Sequence, residues 1–208
     1  MNITNYEVFG LEGALNASGF PMRINFDEVD NITNSLKRGV KLGNSKSGSG
    51  HNCFLKGIVV NFDMEYSIYW TPQLQRYHFI DFISSSSSMH KGKLGIKFNE
   101  YVDDRVKSIV DEKIEKYNNN PIKLNFMEMI SNFPQGQLKF AGMTTNYLQL
   151  QSIYRQRAKS HKLEDWHIFC AWIETLPYFV ELCLNGERHY TNDDNKIIED
   201  KIYYKKGE

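Results

Sequence analysis

The sequence predicts an α+β fold, and three observations carry that reading. Residues Phe54 to Trp70 are dense in β-branched and aromatic side chains with partial alternation, as in a strand pair or one long bent strand. A helix predicted over Asp103 to Tyr117 gathers Val102, Val106, Ile109, Val110, Ile114 and Tyr117 on one face. A second, over Leu163 to Leu176, places Trp166, Phe169, Cys170, Ile173 and Leu176 in an apolar stripe that reads as core or subunit interface.

The remaining elements follow in order. Asn5 to Asn16 reads as a short strand and helix, and Phe26 to Arg38 has Phe26, Val29, Ile32 and Leu36 at helical spacing. The Gly/Ser-rich stretch Gly43 to Gly50 is a loop, read either as a plain connector or as a turn that brings backbone close to a phosphate or flavin. Thr71-Pro72 predicts a helix start with Thr71 as N-cap, running through Leu74, Tyr77, His78 and Asp81 until the serines Ser84 to Ser88 end it. A short helix over Lys123 to Ile130, the Phe133-Pro-Gln-Gly136 turn and a helix over Thr145 to Arg157 complete the core.

At 208 residues with 41% hydrophobic and 24% charged side chains, the chain is sized as one domain, with a core over about 1–185 and a charged tail, a surface appendage, over 186–208. Lys plus Arg equal Asp plus Glu at 25 each, so no global field draws in a polyanion. Long DNA or RNA is therefore a disfavoured partner, while a local basic pocket for one nucleotide stays open. Neither GxxxxGK[ST] nor GxGxxG occurs, which removes the ATP P-loop and the Rossmann fingerprint. Cys53, Cys170 and Cys183 lack CxxC spacing and read as reduced, mostly buried thiols, with no metal site and a poor case for a thiolate nucleophile. No basic-then-apolar leader and no long apolar run is present, so the expected location is the cytoplasm, without a membrane partner.

Three stretches carry the chemistry. The first is Gly50-His51-Asn52-Cys53-Phe54, and the second is Gln73-Leu-Gln-Arg76-Tyr77-His78 followed by Ser84 to Ser88. The third is Asn146 with Arg157-Ala-Lys-Ser-His161 and Trp166. Taken singly, an Arg is usually solvated or ion-paired and a lone His usually structural. In order and spacing together, these stretches resemble the flavin-dependent thymidylate synthases, whose R-H-R motif is preceded by a Gln and followed by a signature serine. His51 stands where that family has a His upstream, and Asn146 and Arg157 where it has an Asn and Arg on one helix. The pattern is also similar to proteins carried by phages and prophages.

The resemblance implies a mixed β-sheet flanked by helices, a homotetramer with sites shared between subunits, and FAD as cofactor. It implies cofactor contacts at His51, Arg76, Tyr77, His78, Asn146 and His161, substrate contacts at Gln73, Arg76, Ser84, Ser86, Ser88 and Arg157, and a catalytic role for Arg157. The implied reaction methylates dUMP with reduced flavin and methylenetetrahydrofolate, without an enzymic cysteine. A flavin and a nucleotide present flat rings and anionic oxygens, which suits two guanidinium groups, small hydroxyls and aromatic walls.

This chain departs from the pattern at four places. Tyr77 and His78 replace the family's His and second Arg, Ser84 stands where an acid is frequent, and Ser88-Met89 replaces a closing Arg-Tyr. Losing a bidentate charge-assisted contact costs roughly 1.5 to 3 kcal/mol, and Lys91, Lys93 or His90 offers only a point charge in its place. The competing reading is a non-catalytic, phage-encoded sponge that sequesters a nucleotide signal, cyclic or of the ADP-ribose type, in the host cytoplasm. A third is a structural oligomer with a vestigial pocket.

Overall fold

The computed structural model describes residues 1–201 apart from 26, 47 and 160. Its centre is set by strand β2, Val59–Ser67, whose sequence alternates apolar and polar residues. Val60, Phe62, Met64 and Tyr66 are buried on one face, while Asn61, Asp63 and Glu65 look outward, the pattern of an antiparallel strand with one face on a core. It pairs with β1, Asn2–Phe9, on one side and with β5, Gln137–Asn146, on the other. The far edge of β5 is shared by β3, Ile80–Ser85, and the short β4, Lys97–Phe98. Among the described residues, five strands form one sheet of order β1-β2-β5-β3, every pairing antiparallel.

Helices cover the buried face. Helix α1 is Leu11–Ala17 and α2 is Ile32–Gly43. Short helices α3, Thr71–Leu74, and α4, Ser88–Lys91, flank β3. Helices α5, Asp104–Asn119, and α6, Lys123–Ser131, pack on each other around Val110, Ile114 and Met129. Helices α7, Tyr147–Arg157, α8, Glu164–Glu174, and α9, Phe179–Leu184, join the sheet in the main core. Aromatic contacts dominate there: Phe62 meets Trp172 at 4.6 Å, and Trp70 meets Trp166 at 4.7 Å, between ring centroids.

Two polar side chains fasten these layers. Gln151 on α7 donates from Nε2 to the carbonyls of Gly43 and Cys183, at 2.9 and 3.0 Å, and accepts from Asn52 Nδ2 at 3.1 Å. At Gly43 a Cβ would lie 2.1 Å from the Leu182 carbonyl oxygen, so only glycine lets α2 approach α9 this closely. Glu174, fully buried, accepts at its carboxyl oxygens from Tyr154 Oη, from the N–H groups of His189, Tyr190 and Thr191, and from Thr191 Oγ1.

The α+β reading holds, with four local corrections. The first helix after β1 and α1 starts at Ile32 rather than Phe26, because Asn31 Oδ1 accepts from Asn34 N and caps it there; Phe26 itself lies outside the described residues. Of the strand pair or single long strand read over Phe54 to Trp70, one strand forms, Val59–Ser67, because residues up to Gly57 belong to the 3-10 turn His51–Gly57 and Ile68–Trp70 to another. The helix begun at Thr71-Pro72 ends at Leu74, not Asp81, since Ile80 to Ser85 pair with β5; Thr71 is a helical residue and caps nothing. The segment past Gly186 is no mere appendage as far as Thr191: Tyr190 is 0% exposed, held by Glu174 and packed beside His167. Residues 202–208 of the expected tail lie outside the described residues.

Candidate functional site

Strand β5 runs directly into α7, and Asn146 Oδ1 accepts from Gln149 N at 2.9 Å to cap the helix. Tyr147 N, bonded to the Ile58 carbonyl at 3.0 Å, fixes the helix start against the turn that follows His51. The last residue of α7 is Arg157, and its guanidinium lies 4.7 Å from the Trp166 ring centroid and 5.6 Å from that of Tyr77. Its Nε donates to Tyr77 Oη at 2.8 Å, and Tyr77 Oη donates to Gln156 Oε1 at 3.1 Å. Trp166 is fixed in turn by its Nε1, which donates to Gln73 Oε1 at 2.8 Å.

His161 stands edge-on to Trp166 with centroids 6.1 Å apart. Its Nδ1 accepts from Leu163 N at 3.1 Å, which places the proton of the neutral ring on Nε2. Burial and then the Arg157 charge, with His167 adding, hold the imidazole pKa below its usual value, against an opposing effect of the Leu163 backbone. Thus the structure joins Gln73, Tyr77, Arg157 and His161 in one cluster. Sequence reading missed Gln156 as a member; Trp166 was noted in the third stretch and in the core or interface stripe but not named among the ligand contacts.

The other candidates sit elsewhere. Arg76 and His78 are exposed on either side of Tyr77, and His51 is exposed at the start of its 3-10 turn. Ser84 and Ser85 end β3, and Ser86 is tied to Phe140 by both N and Oγ. Ser87 caps α4, and Ser88 Oγ accepts from Gln137 Nε2 at 3.1 Å. Ser86 and Ser87 with His90 and Lys91 line a shallow groove of about 310 Å³ beside Phe140. At about 3.3 Å per strand residue, Ser85 is roughly 17 Å along β3 from Ile80, and the bonds of Ser86 and Ser88 go to Phe140 and Gln137. Ser160, inside the Arg157-to-His161 motif, lies outside the described residues.

With the strand order and this cluster fixed, comparison with solved structures is decisive for the fold. Flavin-dependent thymidylate synthase ThyX from Helicobacter pylori, complexed with FAD and dUMP, superposes with a TM-score of 0.71 at 16% identity, covering 89% of this chain and 99% of that one. The chain has the flavin-dependent thymidylate synthase fold. The UMP/dUMP methylase PolB from Streptomyces cacaoi, bound with 5-Br dUMP, matches with a TM-score of 0.64 at 13% identity over 89% of this chain and 95% of that one. No family model and no curated protein matches the sequence. In this fold Arg157 stands at the end of the helix that leaves β5, where its guanidinium is oriented by Tyr77 and backed by Trp166.

Cysteine chemistry has little support at this site. Cys170 and Cys183 are buried and their thiols are pushed up by that burial, away from the thiolate. Among the described residues, no group of three or more His, Cys, Asp or Glu side chains is placed to hold a metal. No described helix is long and apolar enough to cross a membrane.

Proposed function

We propose that the chain binds a pyrimidine nucleotide on the Arg157 face and acts as a flavin-dependent thymidylate synthase-like methyltransferase on dUMP, with FAD and methylenetetrahydrofolate. The observation that carries this reading is the Arg157 guanidinium, aligned by Tyr77 Oη and stacked on Trp166, with His161 alongside. Such a fixed cation suits a planar, anionic ligand, because little rotamer freedom remains to be lost on binding.

The donor set fits FAD: Arg76, His78 and Arg157 offer positive or protonatable groups and Tyr77 and Trp166 flat faces, with no carboxylate among the candidates. His51, Arg76 and His78 would hold its anionic and ring atoms, with Asn146 committed to its helix cap. Bound and reduced, FAD would supply the hydride that completes a transferred methyl group. The chain's own part is to orient the nucleotide with Arg157 and Gln73, and to keep His161 a neutral Nε2–H donor beside Arg157. In this reading Ser84, Ser86 and Ser88 are brought to the site by a second copy within a homotetramer.

The test is release of tritium from 5-tritiated dUMP in the presence of reductant and methylenetetrahydrofolate, since methylation at that carbon displaces the hydrogen. A working synthase is yellow and releases tritium; a colourless protein that releases none sinks the catalytic reading. One observation favours the second reading, a phage-encoded nucleotide sponge acting in the host cytoplasm. The groove at the serine run offers His90 and Lys91 rather than an arginine fork, while Met89 is 63% exposed where that Arg-Tyr would stand. A sponge returns its nucleotide intact on denaturation, which mass spectrometry of the released ligand decides.

A further inference from the structure

A cleft of about 500 Å³ opens on the opposite side of α7, between its C-terminal turn, the end of α9 and residues 187–189. Its lining includes Tyr154, Arg155, Lys159, Glu187, Arg188 and His189. Arg155 on α7 and Lys159, two residues past its end, both line the cleft, whereas Arg157 is rotated from Arg155 by about 200° and lies against Tyr77 and Trp166. The cleft is therefore physically separate from the Arg157 cluster. Its volume falls in the range of small-molecule sites, roughly 300 to 1,000 Å³.

The charges there are unbalanced. Arg155, Lys159 and Arg188 line it against one carboxylate, Glu187. Among the described residues, no carboxylate forms an ion pair with Arg155 or Lys159, while Arg188 is held in place by Thr191 Oγ1 at 3.1 Å, Asn195 Oδ1 at 2.6 Å and Glu181 at 3.5 Å. Partial burial, then the Lys201 charge, hold the His189 imidazole pKa below its usual value, with Glu174 opposing and Lys159 and His167 adding smaller effects. The ring is steadied edge-on against Tyr190, 4.6 Å between centroids, and the backbone of 189–191 is pinned to Glu174. Two exposed cations thus face a preformed wall that carries a third cation and an aromatic surface.

We propose that this cleft is a second ligand site, for a small phosphorylated molecule whose phosphate is gripped by Arg155, Lys159 and Arg188. The test uses the full chain, with calorimetric titration of inorganic pyrophosphate, ADP and adenosine into the parent protein, the Arg155→Ala/Lys159→Ala double variant and Arg157→Ala. Pyrophosphate and ADP bind the Arg157→Ala protein as they bind the parent, and bind the double variant at least tenfold more weakly. Adenosine, lacking the anion, does not bind. Equal affinity for the two anions marks a site that reads phosphate alone, and tighter ADP one that also reads the nucleoside; both sustain the proposal. Because both replaced side chains are exposed, the double variant keeps the parent's melting curve, and Lys159→Glu provides an independent variant with the same expected loss. Undiminished binding by either variant, loss in Arg157→Ala instead, or no binding of either anion by the parent overturns the proposal.

Discussion

Tyr77 and Arg157 stand 80 positions apart and meet side chain to side chain, Arg157 Nε donating to Tyr77 Oη at 2.8 Å. Tyr77 thereby orients a guanidinium whose flat face already rests on Trp166. Tyr77→Phe keeps the ring but removes the acceptor, so Arg157 regains rotamer freedom at a stability cost of about 1 kcal/mol. Nucleotide affinity falls several-fold in that variant. It falls tenfold or more in Arg157→Ala, which loses a charge-assisted contact of roughly 1.5 to 3 kcal/mol. Calorimetry with dUMP, controlled by melting curves, checks both; equal affinity in all three proteins removes Arg157 from the nucleotide site.

The same guanidinium reports on His161, whose pKa is held low by burial and then by the Arg157 charge. The unfolded chain therefore takes up this proton more readily than the folded one. The His161 contribution to stability is full above the ordinary histidine pKa and declines as pH falls through the depressed folded value. In Arg157→Ala the His161 pKa moves up toward the ordinary value, though burial keeps it from reaching it. NMR titration of the ring protons measures the shift, and an unmoved His161 would show that the charge does not reach it.

Much of this architecture was legible in the sequence, and the exceptions share a physical cause. Strand β2 could be read because Val60, Phe62, Met64 and Tyr66 alternate with polar residues, and α5 and α8 because their stripes are regular. Strand β5 escaped because Lys139, Ala141 and Gly142 lower its apparent strand propensity, although it is the strand that β2, β3 and β4 all need as a partner. The helix predicted past Leu74 ran over β3 for the same reason: only tertiary pairing with β5 sets that boundary. Of the site, Gln73, Tyr77, Arg157 and His161 were named in advance through their joint spacing. Their binding to one another through Trp166 and Gln156 was not, since contacts across some 80 residues leave no local signature.

Glu174 holds the backbone of residues 189–191 beside the cleft proposed above, and nothing in the local sequence announces its burial. Its carboxyl oxygens satisfy Tyr154 Oη, the N–H groups of residues 189–191 and Thr191 Oγ1. Glu174→Ala leaves those donors buried without a partner, costing about 3 to 5 kcal/mol. Thermal melting measures the loss, and hydrogen exchange places it at residues 189–191. A variant that melts with the parent would mean that this segment is held by other contacts.

Packing of α2 on α9 depends on Gly43 in a way that allows a narrow test. A Cβ at this position meets the Leu182 carbonyl oxygen at 2.1 Å, a backbone atom with no rotamer to yield. Gly43→Ala therefore forces the helices apart and strains the bonds from Gln151 to the Gly43 and Cys183 carbonyls. A loss of about 1 to 3 kcal/mol follows, the usual cost of overpacking. Denaturant unfolding checks it, and a variant as stable as the parent would show that α2 has slack that its contacts do not suggest.

The open surfaces bear on assembly. Met22, Ile24 and Val29 are 87, 95 and 78% exposed, and Ile83 and Phe140 are each 61% exposed beside one another on the sheet. A lone soluble chain seldom leaves so much apolar surface in water, so the proposed homotetramer would bury a large part of it. Light scattering at micromolar concentration should give a four-chain mass, and Phe140→Asp, at a position where the side chain is already solvated, should yield smaller species that keep the fold. The serine run spans the end of β3, outside the bonded cluster of Gln73, Tyr77, Arg157 and Trp166, and in the shared-site proposal a second copy brings it to the nucleotide. The dissociated variant should therefore lose dUMP binding although no residue of the Arg157 cluster has changed. If a monomeric form binds dUMP as tightly as the assembled protein, the nucleotide site is complete in one subunit and the serines take no part in it.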